Sequence, residues 1–317
     1  MTGLTLMEIE AARARIADVA VRTPLVRLAL QDAPAEIYLK LESLQPINSF
    51  KIRGAANAIR AAAPGDRSGG LVTASAGNMA QGVAWVAREL GLRATIAVPE
   101  HAPEAKLAAI QRLGGQVVKL PYDEWWNAIV TSRVEGIDGL FVHPVQDEGV
   151  MAGNGTIGLE IIEDLATPDA VVIPFGGGGL TVGIASAIRA LRPRTKIYTA
   201  EPETGAALTA ALGAGGPTDV DYRPSFVDGA GSRRVLDAMW PRVSPLVDGA
   251  FPVPIADAAG AVRTLAERVR VIAEGAGALA LAVALAGHAG SGKVVCIVSG
   301  GNINSTKLAE ILEGGAG

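Results

Sequence analysis

Short apolar runs alternate with longer segments of helical periodicity along this chain of 317 residues. Seven runs read as strands: 37–41, 70–73, 94–98, 116–120, 170–174, 196–200 and 293–298. They are rich in Val, Ile and Leu, and Gly, Pro or polar residues bound most of them. Between them, residues 50–62, 78–90, 103–113, 155–165, 180–190, 256–268 and 274–286 predict helices, many of them rich in Ala, which favours the helix and close packing. Strand–helix–strand alternation with apolar strands predicts an α/β fold: open, twisted, mostly parallel sheets with helices on both faces. No repeat of solenoid or propeller period is present. The length suits two domains or one large two-lobed unit.

Composition narrows the class. Apolar residues make up 49% and charged residues 19%, which excludes disordered and low-complexity chains. With 28 basic and 32 acidic residues the formal net charge is −4, and no basic run marks a nucleic-acid or anionic-membrane binder. The single cysteine, Cys296, excludes a disulfide framework and a cysteine-based zinc site. The three histidines, His101, His143 and His288, lie far apart in sequence. The first twenty residues are charged and amphipathic, unlike a signal peptide, and no uncharged apolar run reaches about 18 residues. The expectation is a cytoplasmic protein with no membrane or nucleic-acid partner.

Several junctions carry candidate chemistry. Gly176-Gly177-Gly178-Gly179 follows a strand and opens a helix. Four glycines let backbone N–H groups approach a ligand, and the helix N-terminus favours an anion, so the segment reads as a phosphate cradle. A tight turn would need only one or two glycines. Gly287–Lys293 matches the spacing of a nucleotide-binding loop, but Val294 replaces the hydroxyl that holds magnesium and a strand follows, so it reads as a surface turn. Ser75-Ala76-Gly77-Asn78-Met79 is a small, polar strand-to-helix junction, able either to hold a carboxylate or merely to cap its helix. Lys51, beside Phe50, heads a helix. It is an ordinary solvated lysine or, joined to a phosphate cradle, an amine that forms a Schiff base with a phosphorylated aldehyde, pyridoxal 5′-phosphate. Ser299 ends the last strand, as a cap or as a partner for a ring nitrogen.

The motifs LKLESLQPINSFKIRGA, TASAGNMAQGVAWVA, HPVQDEGVMAGNGTIGLEI, PFGGGGLTVGIASAI, EGAGALALA and VSGGNIN, in this order, cover nearly the whole chain. Together they resemble the fold-type II pyridoxal-phosphate enzymes, with a tryptophan synthase β-like fold, and within them the threonine/serine dehydratase and serine racemase group. The resemblance implies a large cofactor-binding domain from residues 1–68 and 146–317 and a small mobile domain from 69–145. It implies that Lys51 holds the cofactor and Phe50 packs on its ring. It further implies that Asn78 contacts the ring hydroxyl, that Gly176, Gly177, Gly178, Gly179 and Leu180 cradle the phosphate, and that Glu274 and Ser299 face the ring. Ser75, Ala76, Gly77, Asn78, Met79 and Gly229 would take the amino-acid substrate. The implied activity is that of a lyase, β-elimination from threonine or serine to a 2-oxo acid and ammonia, in a homo-oligomer, most simply a homodimer. Serine racemisation is the alternative, and a non-catalytic cofactor or amino-acid binding module the plainer one.

Departures from the group's pattern bear on these readings. Racemases of the group carry serine where this chain has Ala76, which delivers no proton. The group's divalent-cation site pairs a glutamate, matched by Glu201, with an aspartate six residues on, where this chain has Ala207, so no metal is expected. Met79 stands where His is usual, and Ile47-Asn48 where Thr-Gly is usual; Asn tolerates positive φ and can keep that turn. Met79, with Val145, Trp125 and Trp126, either enlarges an apolar substrate pocket or packs within the small lobe.

Overall fold

The computed structural model describes residues 3–315. Its elements begin with α1 (Leu6–Arg15), β1 (Leu25–Arg27), β2 (Glu36–Leu41), α2 (Lys51–Ala61), β3 (Leu71–Ala74), α3 (Asn78–Glu89), β4 (Ala94–Pro99), α4 (Glu104–Arg112), β5 (Gln116–Leu120), α5 (Tyr122–Thr131) and β6 (Leu140–Phe141). They continue with α6 (Glu148–Asp164), β7 (Ala170–Pro174), α7 (Gly179–Leu191), β8 (Lys196–Pro202), α8 (Ala207–Ala214), α9 (Trp240–Val243), β9 (Gly249–Val253), α10 (Ile255–Thr264), α11 (Gly275–Leu285), β10 (Lys293–Val298) and α12 (Ser305–Leu312).

The strands form two sheets, one of six in the order β1-β2-β10-β7-β8-β9 and one of four in the order β5-β4-β3-β6. All pairs are parallel except β1 with β2. Parallel strands covered on both faces lose polar alternation, and accordingly β3 and β7 are buried at every position. On one face of the large sheet, α10 and α11 share a core with Leu39, Val172 and Cys296; α11 is apolar all round and buried over residues 275–284. On the other face, α6 and α7 pack against Val171, Ile173 and Val295.

Helix α2 joins the two sheets. Ile52, Ala55 and Ile59 share a core with Val83 and Ile96 of the small sheet's layer. Its opposite side lies so close to α6 that a Cβ on Gly54 would stand 2.8 Å from Val150. The predicted start of α6 at residue 155 moves back to Glu148, because Asp147 caps the helix through the Val150 N–H at 3.1 Å. Gly149, Gly153 and Gly155 are the residues that allow α6 to press on α2 and α7.

Candidate active site

The head of α2 is stitched to the end of β10. Phe50 N–H donates to the Ser299 carbonyl at 3.0 Å, and Gly301 N–H donates to the Asn48 carbonyl at 2.8 Å. Asn48 takes φ +56°, so the turn survives without glycine. Lys51, first residue of α2, thus stands at the carboxyl ends of the parallel strands, where such folds bind ligands. Its Nζ donates to the Pro144 carbonyl at 2.9 Å and lies 5.2 Å from the Phe50 ring centroid. Burial pulls the amine pKa down to about 8, against the opposing charge of Glu274.

The glycine run joins β7 to α7. Gly178, at φ +93°, is the N-cap of α7, where a side chain would be strained. A Cβ on Gly177 would collide with the Val145 side chain, and one on Gly179 would stand 2.8 Å from the Val145 carbonyl. The backbone here is bare, closely backed, and ends in the free N–H groups of a thirteen-residue helix. Because Val145 follows Pro144, one segment touches both Lys51 and the cradle.

A polar chain flanks the space between them. Asn302 Nδ2 donates to Asn78 Oδ1 at 2.8 Å, and Asn78 Nδ2 donates to Glu274 Oε1 at 2.8 Å. Burial, helped by the charge of Asp228, pushes the Glu274 carboxyl up to about 7. Ser299 is buried, and among the described residues no protein group hydrogen-bonds its hydroxyl. Gly229 is exposed, and a Cβ there would be 3.5 Å from Glu274 Oε1. In the 75–79 junction, Ser75 Oγ accepts from Gly77 N–H at 3.2 Å.

Met79 and Glu201 are both engaged within the fold. The Met79 side chain is 2% exposed and packs with Ile52, Val83 and Ile96, so only its backbone is left for a substrate. The apolar replacement of a polar ring is a core substitution and no argument for a larger pocket. Trp125 likewise packs with Val72 and Ile129 against the four-stranded sheet, while Trp126 is 44% exposed. Glu201, the possible metal ligand, has both oxygens engaged: they accept from Leu208 N–H, Thr209 N–H and Thr209 Oγ1, each at 2.8 Å. The carboxylate holds the first turn of α8.

Three groups had no signal in the sequence. Arg53, 1% exposed, donates to Glu42 at 2.8 Å, to Glu160 at 2.7 Å and to Thr156 at 3.0 Å, and Lys40 closes the group on Glu160 at 2.5 Å. Two cations and two anions balance, and the network locks the first turn of α2 behind Lys51. His143 fixes the turn that carries Pro144. Lys106 of α4 pairs with Asp228, beside Gly229, at 2.6 Å. Partners 122 residues apart leave no local pattern to read.

The donor set fits pyridoxal phosphate: a bare backbone cradle for a phosphate, a buried amine with lowered pKa for an aldehyde, and an amide and a hydroxyl facing the space between. The family model described as pyridoxal-phosphate dependent enzyme matches residues 16–300. The L-threonine ammonia-lyase of Thermotoga maritima is 39% identical over 317 residues, covering 98% of this chain and 79% of that protein. A catabolic L-threonine dehydratase of Staphylococcus aureus is 35% identical over 321 residues, covering 98% and 93%. The solved structure of maize serine racemase superimposes with a TM-score of 0.89 at 31% identity, covering 98% and 97%.

Proposed function

We propose a β-eliminating amino-acid ammonia-lyase, proceeding from the fact that this chain belongs to the pyridoxal-phosphate dependent enzyme family. The single observation that carries the reading is Lys51, half-buried at the head of α2 with its amine pKa lowered to about 8 and its Nζ on the Pro144 carbonyl, next to the Val145 that backs the glycine cradle. Bound there, the cofactor supplies an aldehyde for an amine and an electron sink for charge developing at the substrate Cα.

Gly176 to Gly179 and Leu180 would hold the phosphate with backbone N–H groups. Asn78, oriented by Asn302, would meet the ring hydroxyl. Neutral Ser299 would face the ring nitrogen and leave it unprotonated, which limits charge delocalisation and favours departure of the β-hydroxyl. The 75–79 backbone and Gly229 would take the substrate carboxylate and backbone. With the cofactor and substrate in place, Lys51 Nζ would accept the Cα proton. The β-hydroxyl would leave as water as Lys51 gives up the proton it took, and the released enamine, as its imine tautomer, would add water to give a 2-oxo acid and ammonia. Residues 69–145 would be the smaller, mobile lobe, because all four strands of the second sheet come from 71–141.

Racemisation is the second reading, favoured by the likeness to maize serine racemase. Ala76 stands against it, since the cofactor face opposite Lys51 then lacks a side-chain acid. Release of 2-oxo acid and ammonia from L-threonine, L-serine and L-phenylserine tests the proposal. Equimolar products from at least one are expected, and none from any would overturn it. Cytoplasmic location and a homodimer belong to the same proposal, the latter checked by light scattering.

A further inference from the structure

His143 is 4% exposed, and both ring nitrogens are engaged. Nδ1 accepts from Val145 N–H at 3.0 Å and from Gln146 N–H at 2.9 Å. Two donors on one nitrogen leave no place for a proton there, so the ring proton sits on Nε2 and is donated to the Ile129 carbonyl at 3.1 Å. The imidazole is thereby held neutral in one tautomer; burial first, and the charge of Lys51 last, push its pKa down. The turn it closes carries Pro144, whose carbonyl accepts from Lys51, and Val145, which backs Gly177 and Gly179. Ile129 lies on α5, packed on the small sheet. One ring therefore ties the small lobe to the segment that touches both the lysine and the cradle.

We propose that His143 is a positioning residue for the reaction: by closing the Pro144 turn it sets the carbonyl on which the Lys51 amine rests, and with it the distance from that amine to the reacting atoms. This rests on the reading of Lys51 as the cofactor-bearing lysine. Among the described residues, Glu274 at the cap of α11 is the charged group that faces Lys51, and His143 the titratable group facing it from the β6–α6 connection. With the imidazole gone, the two N–H groups lose their acceptor, the turn is free to open, and the amine loses its partner.

Nitrogen-15 spectra of the histidine-labelled holoenzyme contain three rings, and His101 and His288 are exposed. The third ring should be neutral with its proton on Nε2 across the neutral pH range; a proton on Nδ1, or a cation, would overturn the proposal. His143→Phe keeps the ring's volume and removes both nitrogens. It should lower kcat at least about tenfold with KM little changed, because a small displacement of a reacting group is that costly. It should also move the midpoint of the kcat–pH profile. His143→Gln, whose amide oxygen can accept one N–H, should recover part of the loss. A His143→Phe enzyme with wild-type kcat and pH profile would refute the role, and the spectra decide the case in which that variant does not fold. Borohydride-fixed cofactor on a wild-type lysine other than Lys51 would instead overturn the functional reading.

Discussion

At the scale of single residues, the chemistry is set by where a charge can survive. Lys51 loses water on burial, so its amine gives up its proton near pH 8 instead of at the usual lysine value. Only the neutral amine attacks an aldehyde. In cofactor-free protein, the rate of pyridoxal phosphate uptake should therefore rise with pH below about 8 and level off above it, as stopped-flow absorbance can follow. A rate still climbing toward the pKa of an ordinary lysine would show that the amine is not desolvated. Ala76 makes a second prediction. Chiral chromatography of L-serine left after partial turnover should show little D-serine relative to pyruvate. Inversion as fast as elimination would mean that another acid serves the second face.

At the scale of elements, each functional group sits where a strand hands over to a helix. Gly178 caps α7 at φ +93°, and a Cβ there would stand 3.1 Å from the buried Phe175 ring, so Gly178→Val strains the backbone and pushes the loop off its core support, at about 1–3 kcal/mol. Cofactor affinity measured by fluorescence quenching should fall by an order of magnitude or more. Unchanged affinity would put the phosphate elsewhere. These junctions were legible in the sequence because the runs before them are apolar without alternation and the glycines after them exceed what a turn needs. What escaped notice was short or held together from afar. Strands β1 and β6 have three and two residues, and β9 carries Pro252 at a sheet edge, so none shows a strand pattern. His143 takes its meaning from backbone groups, one of them 14 residues away, and Arg53 from carboxylates up to 107 residues away. The position of Met79 in the 75–79 junction was legible while the direction of its side chain was not, so pocket and core readings stood side by side until its packing with Ile52 and Val83 separated them.

At the scale of the molecule, the two sheet layers meet at α2, and the candidate site lies at its head. Lys106 of α4 and Asp228 form an exposed ion pair beside Gly229, a class that contributes about 0–1 kcal/mol. The carboxylate of Glu201 is bound to α8, so chelators should leave turnover unchanged. Activity abolished by chelation and restored by magnesium would contradict that assignment. The central claim, that one lysine at the head of α2 carries the cofactor opposite a glycine cradle, meets its most direct test in borohydride reduction of the holoenzyme followed by peptide mapping. The account predicts a visible absorption that reduction removes and a single modified peptide with the cofactor on Lys51. Modification of a different lysine, or none, would contradict it.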